Sequence, residues 1–232
     1  MNTEKFSVPI AIIIAGGLIA GALYYSNIKI ANQPVKTATS QTGSGTINMR
    51  LVSADDHMLG NPNADVVIVE YSDTECPFCK QFHTTMQRVM NEYGKDGKVA
   101  WVYRHFPIDQ LHSKARKESE ALECANELGG PSKFWEYTNM LYSITPSNNG
   151  LEPSELPKIA KNVGLNIQDF DTCLSSGKYA AKVEADYQDA VKAGGRGTPT
   201  SILISKDGIK TTVIGAQPYE SLKTTIDLLL QK

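Results

Sequence analysis

The chain has 232 residues, 41% hydrophobic and 21% charged, enough for one domain with a full core and an insertion. Its 23 basic and 25 acidic residues leave a formal charge of −2, with no Lys/Arg run or basic–aromatic patch, so nothing argues for a nucleic-acid partner. Four cysteines are too few for a cysteine-dense scaffold and enough for one catalytic and one structural pair.

In chain order, the first feature is VPIAIIIAGGLIAGALYY, residues 8–25, in a stretch without charge between Lys5 and Lys29. As a helix it rises about 27 Å, close to a bilayer core. Residues 1–28 are therefore expected to be a transmembrane anchor. A cleaved secretory signal is the second reading and a buried helix the third. Both leading readings put the globular part outside the cytoplasm. Residues 29–58 read as a flexible linker, because NQPVKTATSQTGSGT is rich in Thr, Ser, Gly and Gln and lacks either structural period. NMRLVSADD offers a short strand or terminal segment, and LGNPNAD (59–65) a turn.

Val66–Tyr71 has the apolar run of a buried strand. A helix is expected from the cysteines to about Tyr93, closed by Gly94. Lys98–Phe106 is β-rich and is stopped by Pro107. Helices are expected over His112–Leu128 (ending at Gly129–Gly130), Phe134–Leu141, Ser154–Val163 and Lys178–Ala193, then a hairpin of Ser201–Ser205 and Lys210–Ile214 around Asp207–Gly208, then a helix over Glu220–Leu230. Strands at both ends of a helical block make this an α/β fold with an inserted helical domain. The segments expected are 59–108, the helical insertion 109–193, and 194–232.

Cys76-Pro77-Phe78-Cys79 sits where the first strand gives way to helix. Pro77 suits the first helical position, and Cys76 then faces unpaired N–H groups and the positive end of the helix dipole, which lower a thiol pKa. Cys76 is expected to be the exposed attacking thiol and Cys79 the buried resolving one. Zinc is a competing reading, with His83 a turn further on and His105 and His112 elsewhere, but no second close ligand pair exists. An inert staple is the third. Glu70, in a strand otherwise of Val, Ile and Tyr, would be a buried acid able to exchange protons with Cys79; a solvent-facing strand edge is the alternative. In GTPT (197–200), Pro199 is a candidate cis-proline whose neighbouring backbone could pair with an extended substrate.

GNPNADVVIVEYSDTECPFCKQF, YRHFPI, KFWEY and GTPT together resemble the extracytoplasmic DsbA-like thiol:disulfide oxidoreductases, including membrane-anchored bacterial members, over about residues 59–231. The resemblance implies a thioredoxin fold interrupted by a helical domain. Cys76 would be the nucleophile, Cys79 the resolving thiol, Glu70 the buried acid and Pro199 the cis-proline, with Thr198 before it. It also implies reduced or unfolded extracytoplasmic client proteins and a membrane quinone-linked partner that reoxidises the pair. Phe78 departs from the best-known oxidase pattern, which has histidine there. CPFC also resembles glutaredoxins, against which the anchor and insertion argue.

Cys124 and Cys173, 49 residues apart in the middle block, are expected to form a structural disulfide; two separate buried thiols are the alternative. Pro77, Phe78, Thr198 and Pro199 would make a small apolar client-binding surface, whereas FWEY (134–137) reads as insertion core. No cofactor or metal is expected, and the chain reads as a monomer. The function expected is a dithiol oxidase. The alternatives are a reductase or isomerase kept reduced by a membrane electron donor, and a holdase-like polypeptide-binding module with a structural CxxC.

Overall fold

A computed structural model describes residues 47–231, so the anchor expected at 1–28 and most of the linker lie outside the described residues. The strands are β1 (His57–Gly60), β2 (Val66–Ser72), β3 (Val99–His105), β4 (Thr200–Ser205) and β5 (Lys210–Ile214), in the order β1-β3-β2-β4-β5. Only the β2/β3 pair is parallel, and it is bridged by α1 (Pro77–Val89) with a π-helical turn at Met90–Gly94. Between β3 and β4 lies the insertion of α2 (Ala115–Ile144), α3 (Glu155–Asn162), α4 (Ile167–Ser176) and α5 (Ala180–Lys192), and α6 (Tyr219–Leu230) follows β5. Among the described residues, no helix is long and apolar enough to cross a membrane.

The central strand β2 is covered on both faces, which is why its sequence reads as an almost unbroken apolar run. The two-residue alternation of a strand puts Val66, Ile68, Glu70 and Ser72 on one face. Val66 and Ile68 pack there with Phe82 and Met86 of α1 and Leu222 and Ile226 of α6. On the other face, Val69 and Tyr71 meet Val102, Ile202, Met49 and Ala190 of α5. The CxxC stretch thus emerges at one end of a fully buried strand, on the face that carries Glu70.

The structure differs from the sequence expectations in three places. Residues 47–58, assigned to the flexible linker, are packed on the domain. Arg50 bonds Asp56 at 2.7 Å and Asp186 at 2.6 Å. Fully buried Arg104 grips both Asp56 oxygens at 2.8 Å and Asp189 at 2.7 Å. Apart from the local Arg50–Asp56 pair these partners are distant in sequence, so the polar composition conceals an ordered segment, and β1 takes residues assigned to a turn. Second, the break expected at Gly129–Gly130 is there, at a non-helical Gly130 (φ 73°, ψ −171°) that divides α2 into two helices, but the helix beyond it runs on to Ile144 and not only over Phe134–Leu141. Third, α4 is a helix for which no separate bounds were expected; Asn166 caps it, accepting from the Gln168 and Asp169 N–H groups.

Candidate active site

Cys76 is the N-cap residue of α1 and Pro77 occupies the first turn, as the spacing suggested. The thiol is held well below its usual value, at about 6, chiefly by a hydrogen bond from the Cys79 thiol. A hydrogen bond from the Thr198 side chain and the Phe78 and Cys79 backbone N–H groups add to this against the cost of burial. Cys79 is fully buried, and its thiol is pushed well above the usual range by burial first and then by its neighbour Cys76. Its sulfur accepts from the Asp73 N–H at 3.4 Å. The two sulfurs of one motif are thereby driven in opposite directions.

Cys76 is less open than expected, with 5% of its surface exposed. The Thr198 carbonyl lies 3.5 Å from its sulfur, and Thr198–Pro199 is a cis peptide. Phe78, by contrast, is 60% exposed, so the apolar rim beside the sulfur is formed largely by this ring and Pro77.

Glu70 is wholly buried and does not face solvent at a strand edge. Burial lifts its pKa to about 7, against hydrogen bonds from Ser72 and Trp101 and with a further push from Cys76. Its Oε1 accepts from the Ser72 hydroxyl at 2.6 Å and its Oε2 from Trp101 Nε1 at 2.9 Å. From Ser72 the chain continues to the Tyr142 hydroxyl at 3.0 Å and on to Tyr103 at 3.1 Å. Sequence reasoning singled out neither Ser72 nor Tyr142. Ser72 lies inside the EYSD string already quoted, on the Glu70 side of the strand. Tyr142 comes from the far end of α2, and no local pattern announces it.

The insertion reaches the motif by a second route. Asn148 N–H donates to the Glu75 carbonyl at 2.8 Å, and the Glu75 carboxylate accepts from the Gly150 and Leu151 N–H groups. His112 holds Asp73 at 2.8 Å, and Lys80 donates to the Thr145 carbonyl at 2.6 Å. The turn leading into Cys76 is therefore fixed by the insertion as well as by the sheet.

The histidines raised by the zinc reading are otherwise engaged. His83 bonds Asn139 at 2.7 Å, and burial lowers its pKa to about 4. His57, His105 and Glu123 bring three ligand-type atoms within 4.8 Å of one another. Both Nε2 atoms lie 2.8 Å from one Glu123 oxygen, which also has the Lys182 ammonium at 3.9 Å. Such a carboxylate shared between N–H donors satisfies itself, and the nearby ammonium opposes a cation.

Cys124 of α2 and Cys173 of α4 form a disulfide with Cα atoms 5.9 Å apart, closing the 49-residue separation within the insertion. Phe134, Trp135 and Tyr137 of FWEY are buried core.

A thioredoxin family model matches residues 53–228. Among solved structures, Pseudomonas aeruginosa DsbA2 is similar at 25% identity with a TM-score of 0.66, covering 78% of this chain and 97% of that one. BdbD from Bacillus subtilis in its oxidised form matches at 24% identity and a TM-score of 0.66, covering 76% and 94%. A curated relative, the Na(+)/H(+) antiporter NhaA 1 of Mycolicibacterium gilvum, is 33% identical over 153 residues, or 65% of this chain. The chain spans only 24% of that relative's length. With a family match across the sheet and insertion alike, and a strand-to-helix cysteine pair in which one thiol is acidified and the other suppressed, the chain belongs to the thioredoxin family as a DsbA-like thiol:disulfide oxidoreductase.

Proposed function

We propose that the protein is a dithiol oxidase that introduces disulfides into reduced or unfolded extracytoplasmic proteins. The observation carrying this reading is the placing of Cys76 at the N-cap of α1 beside a fully buried Cys79, which holds the Cys76 thiol down at about 6. At pH 7 such a thiol is about ten parts thiolate to one part thiol, which stabilises the reduced enzyme by about 1.4 kcal/mol, or about 30 mV of oxidising power. A client thiolate attacks Cys76 Sγ of the enzyme disulfide, and Cys79 leaves. A second client thiol then attacks the client sulfur of the mixed disulfide, closing the client disulfide and releasing the Cys76 thiolate. Glu70 supplies the proton that the departing Cys79 sulfur takes up, since burial keeps it protonated near neutral pH. Pro77, Phe78, Thr198 and Pro199 hold the client, whose extended backbone pairs beside Thr198.

The two electrons gained by the pair pass to a membrane quinone-linked partner. The catalytic part stands on the extracytoplasmic side, tethered by residues 1–28, with the domain proper starting by residue 47. The Cys124–Cys173 disulfide supports that compartment, because such bonds persist where the surroundings are oxidising. A reductase or isomerase kept reduced by a membrane donor is the second reading, and Phe78 favours it, since phenylalanine has no N–H to offer the thiolate.

The role assignment is tested with Cys79→Ser and Cys76→Ser in cells, read on non-reducing gels of membranes. Cys79→Ser should accumulate reductant-sensitive complexes with clients, whereas Cys76→Ser should give almost none, its remaining thiol being 0% exposed. Equal ladders from the two variants would overturn the assignment.

A further inference from the structure

Cys79 is wholly buried, so the negative charge that reaches its sulfur when the Cys76–Cys79 bond opens meets no bulk water. It meets a main-chain donor instead, the Asp73 N–H, 3.4 Å from Cys79 Sγ. That N–H is available because β2 ends at Ser72 and its pairing with β4 ends one residue earlier, at Tyr71. Every other polar atom of Asp73, itself wholly buried, is tied down. Its Oδ1 accepts from the Glu75 N–H at 2.8 Å. Its Oδ2 accepts from the Ile108 N–H at 2.7 Å and from His112 Nδ1 at 2.8 Å, both in the loop between β3 and α2. Its carbonyl accepts from the Cys76 N–H and the Tyr142 hydroxyl, each at 3.2 Å. A negative side chain is a poor neighbour for a sulfur that must become negative. A carboxylate, however, has the lone pairs to hold three donors at once, and those three fix the direction of the one N–H left over.

We propose that the Asp73 main-chain N–H is a catalytic group that stabilises Cys79 as the leaving thiolate, and that His112 is a positioning residue that aims it through the Asp73 carboxylate. This rests on the roles proposed for Cys76 and Cys79. As the client thiolate bonds to Cys76 Sγ, the Cys76–Cys79 bond breaks and its electron pair stays on Cys79 Sγ. The Asp73 N–H then changes from a contact with neutral sulfur to a charge-assisted hydrogen bond. A fixed donor whose bond strengthens as charge develops lowers the barrier and needs no reorganisation to do so. The proton proposed to come from Glu70 ends the step, leaving Cys79 as thiol and Asp73 and His112 unchanged.

The test is single-turnover oxidation of a reduced dithiol peptide by the full-length oxidised protein, with rates normalised to peptide thiolate. Incorporating malate in place of Asp73 turns the N–H into an ester oxygen and keeps the carboxylate. It should slow the reaction at least about tenfold, the worth of one hydrogen bond to a charged group. His112→Ala should slow it several-fold, and His112→Asn, whose side-chain N–H lies where Nδ1 does, should recover most of the rate. A second reaction separates this role from a structural one. In a Cys79→Ala protein charged as a Cys76–glutathione mixed disulfide, the peptide displaces glutathione and Cys79 takes no part. Malate at position 73 and His112→Ala should each leave that rate at the Cys79→Ala value. Equal slowing of both reactions would overturn the catalytic role, since it would report only a distorted turn before Cys76. An unchanged first reaction with malate at position 73 would overturn it too, and equal losses in His112→Ala and His112→Asn would overturn the positioning role. Acid-quenched mixed disulfides mapped by mass spectrometry keep the underlying reading separate. Peptide attached to Cys76 leaves the two cysteine roles standing whatever the rates, whereas peptide attached to Cys79 would overturn those roles and this proposal together.

Discussion

Glu70 is the residue whose environment most opposes its usual chemistry. Its folded pKa of about 7 lies above the ordinary 4.5, so the folded state keeps a proton that the unfolded chain has released. The stability it contributes is present below 4.5 and is lost as pH rises through 7. Cys76 acts oppositely, its contribution growing as pH rises from about 6 toward 9.0 and disappearing as pH falls through 6. Glu70→Gln removes only the first of these. Urea unfolding of the reduced proteins should show the variant gaining on wild type by about 3 kcal/mol between about pH 4.5 and 8. A pH-independent gap would mean that Glu70 is not a buried acid. The burial of Cys79 and Glu70 was legible in the sequence, because each stands out from its neighbours in type or spacing, whereas the cis bond at Pro199 was one possibility among several until the family resemblance singled it out. The partial closure of Cys76 was not legible, since the Thr198 carbonyl over its sulfur comes from the other end of the fold.

At the scale of elements, two cross-links join segments that are distant in sequence. Arg104 of β3 ties Asp56 to Asp189 of α5, and Asp56 is pulled down to about 2, chiefly by this guanidinium against the cost of burial. Arg104→Ala would leave Asp56 with half-exposed Arg50 as its one cation and Asp189 with only the Tyr71 hydroxyl and the Arg50 N–H, and should cost about 3 kcal/mol in urea unfolding. Arg104→Lys should recover only part of this, because an ammonium cannot span both Asp56 oxygens in a fork. A loss under about 1 kcal/mol for the alanine variant would show that the network contributes little beyond its desolvation cost. The second cross-link is Cys124–Cys173 between α2 and α4. Replacing both cysteines with serine should cost about 4 kcal/mol on a chain-entropy account, seen as a lower urea midpoint, and an unchanged midpoint would contradict that account. The α1, β2, β3 and hairpin spans came close to their observed bounds because each has a clear period and turn residues. Residues 47–58 did not, because Arg50 and Asp56 are tied to Asp186 and Arg104 elsewhere in the chain.

At the scale of the whole molecule, the sheet supplies Glu70 and Ser72, α1 supplies the cysteines, the β4 approach supplies Thr198, and the insertion braces the turn before Cys76. The compositional break at the insertion was visible in the sequence, whereas its contacts with the motif through Asn148, Gly150 and Tyr142 were not, since they depend on how the chain returns. This assembly acidifies one thiol and suppresses the other, and on the proposed oxidase reading that favours the reduced pair and makes its disulfide oxidising. Equilibrating the purified protein against glutathione buffers measures that preference directly. The account predicts a reduction potential well above the thioredoxin value of about −270 mV and below the roughly −120 mV of the strongest oxidant of this kind. A potential at or below about −250 mV would contradict it.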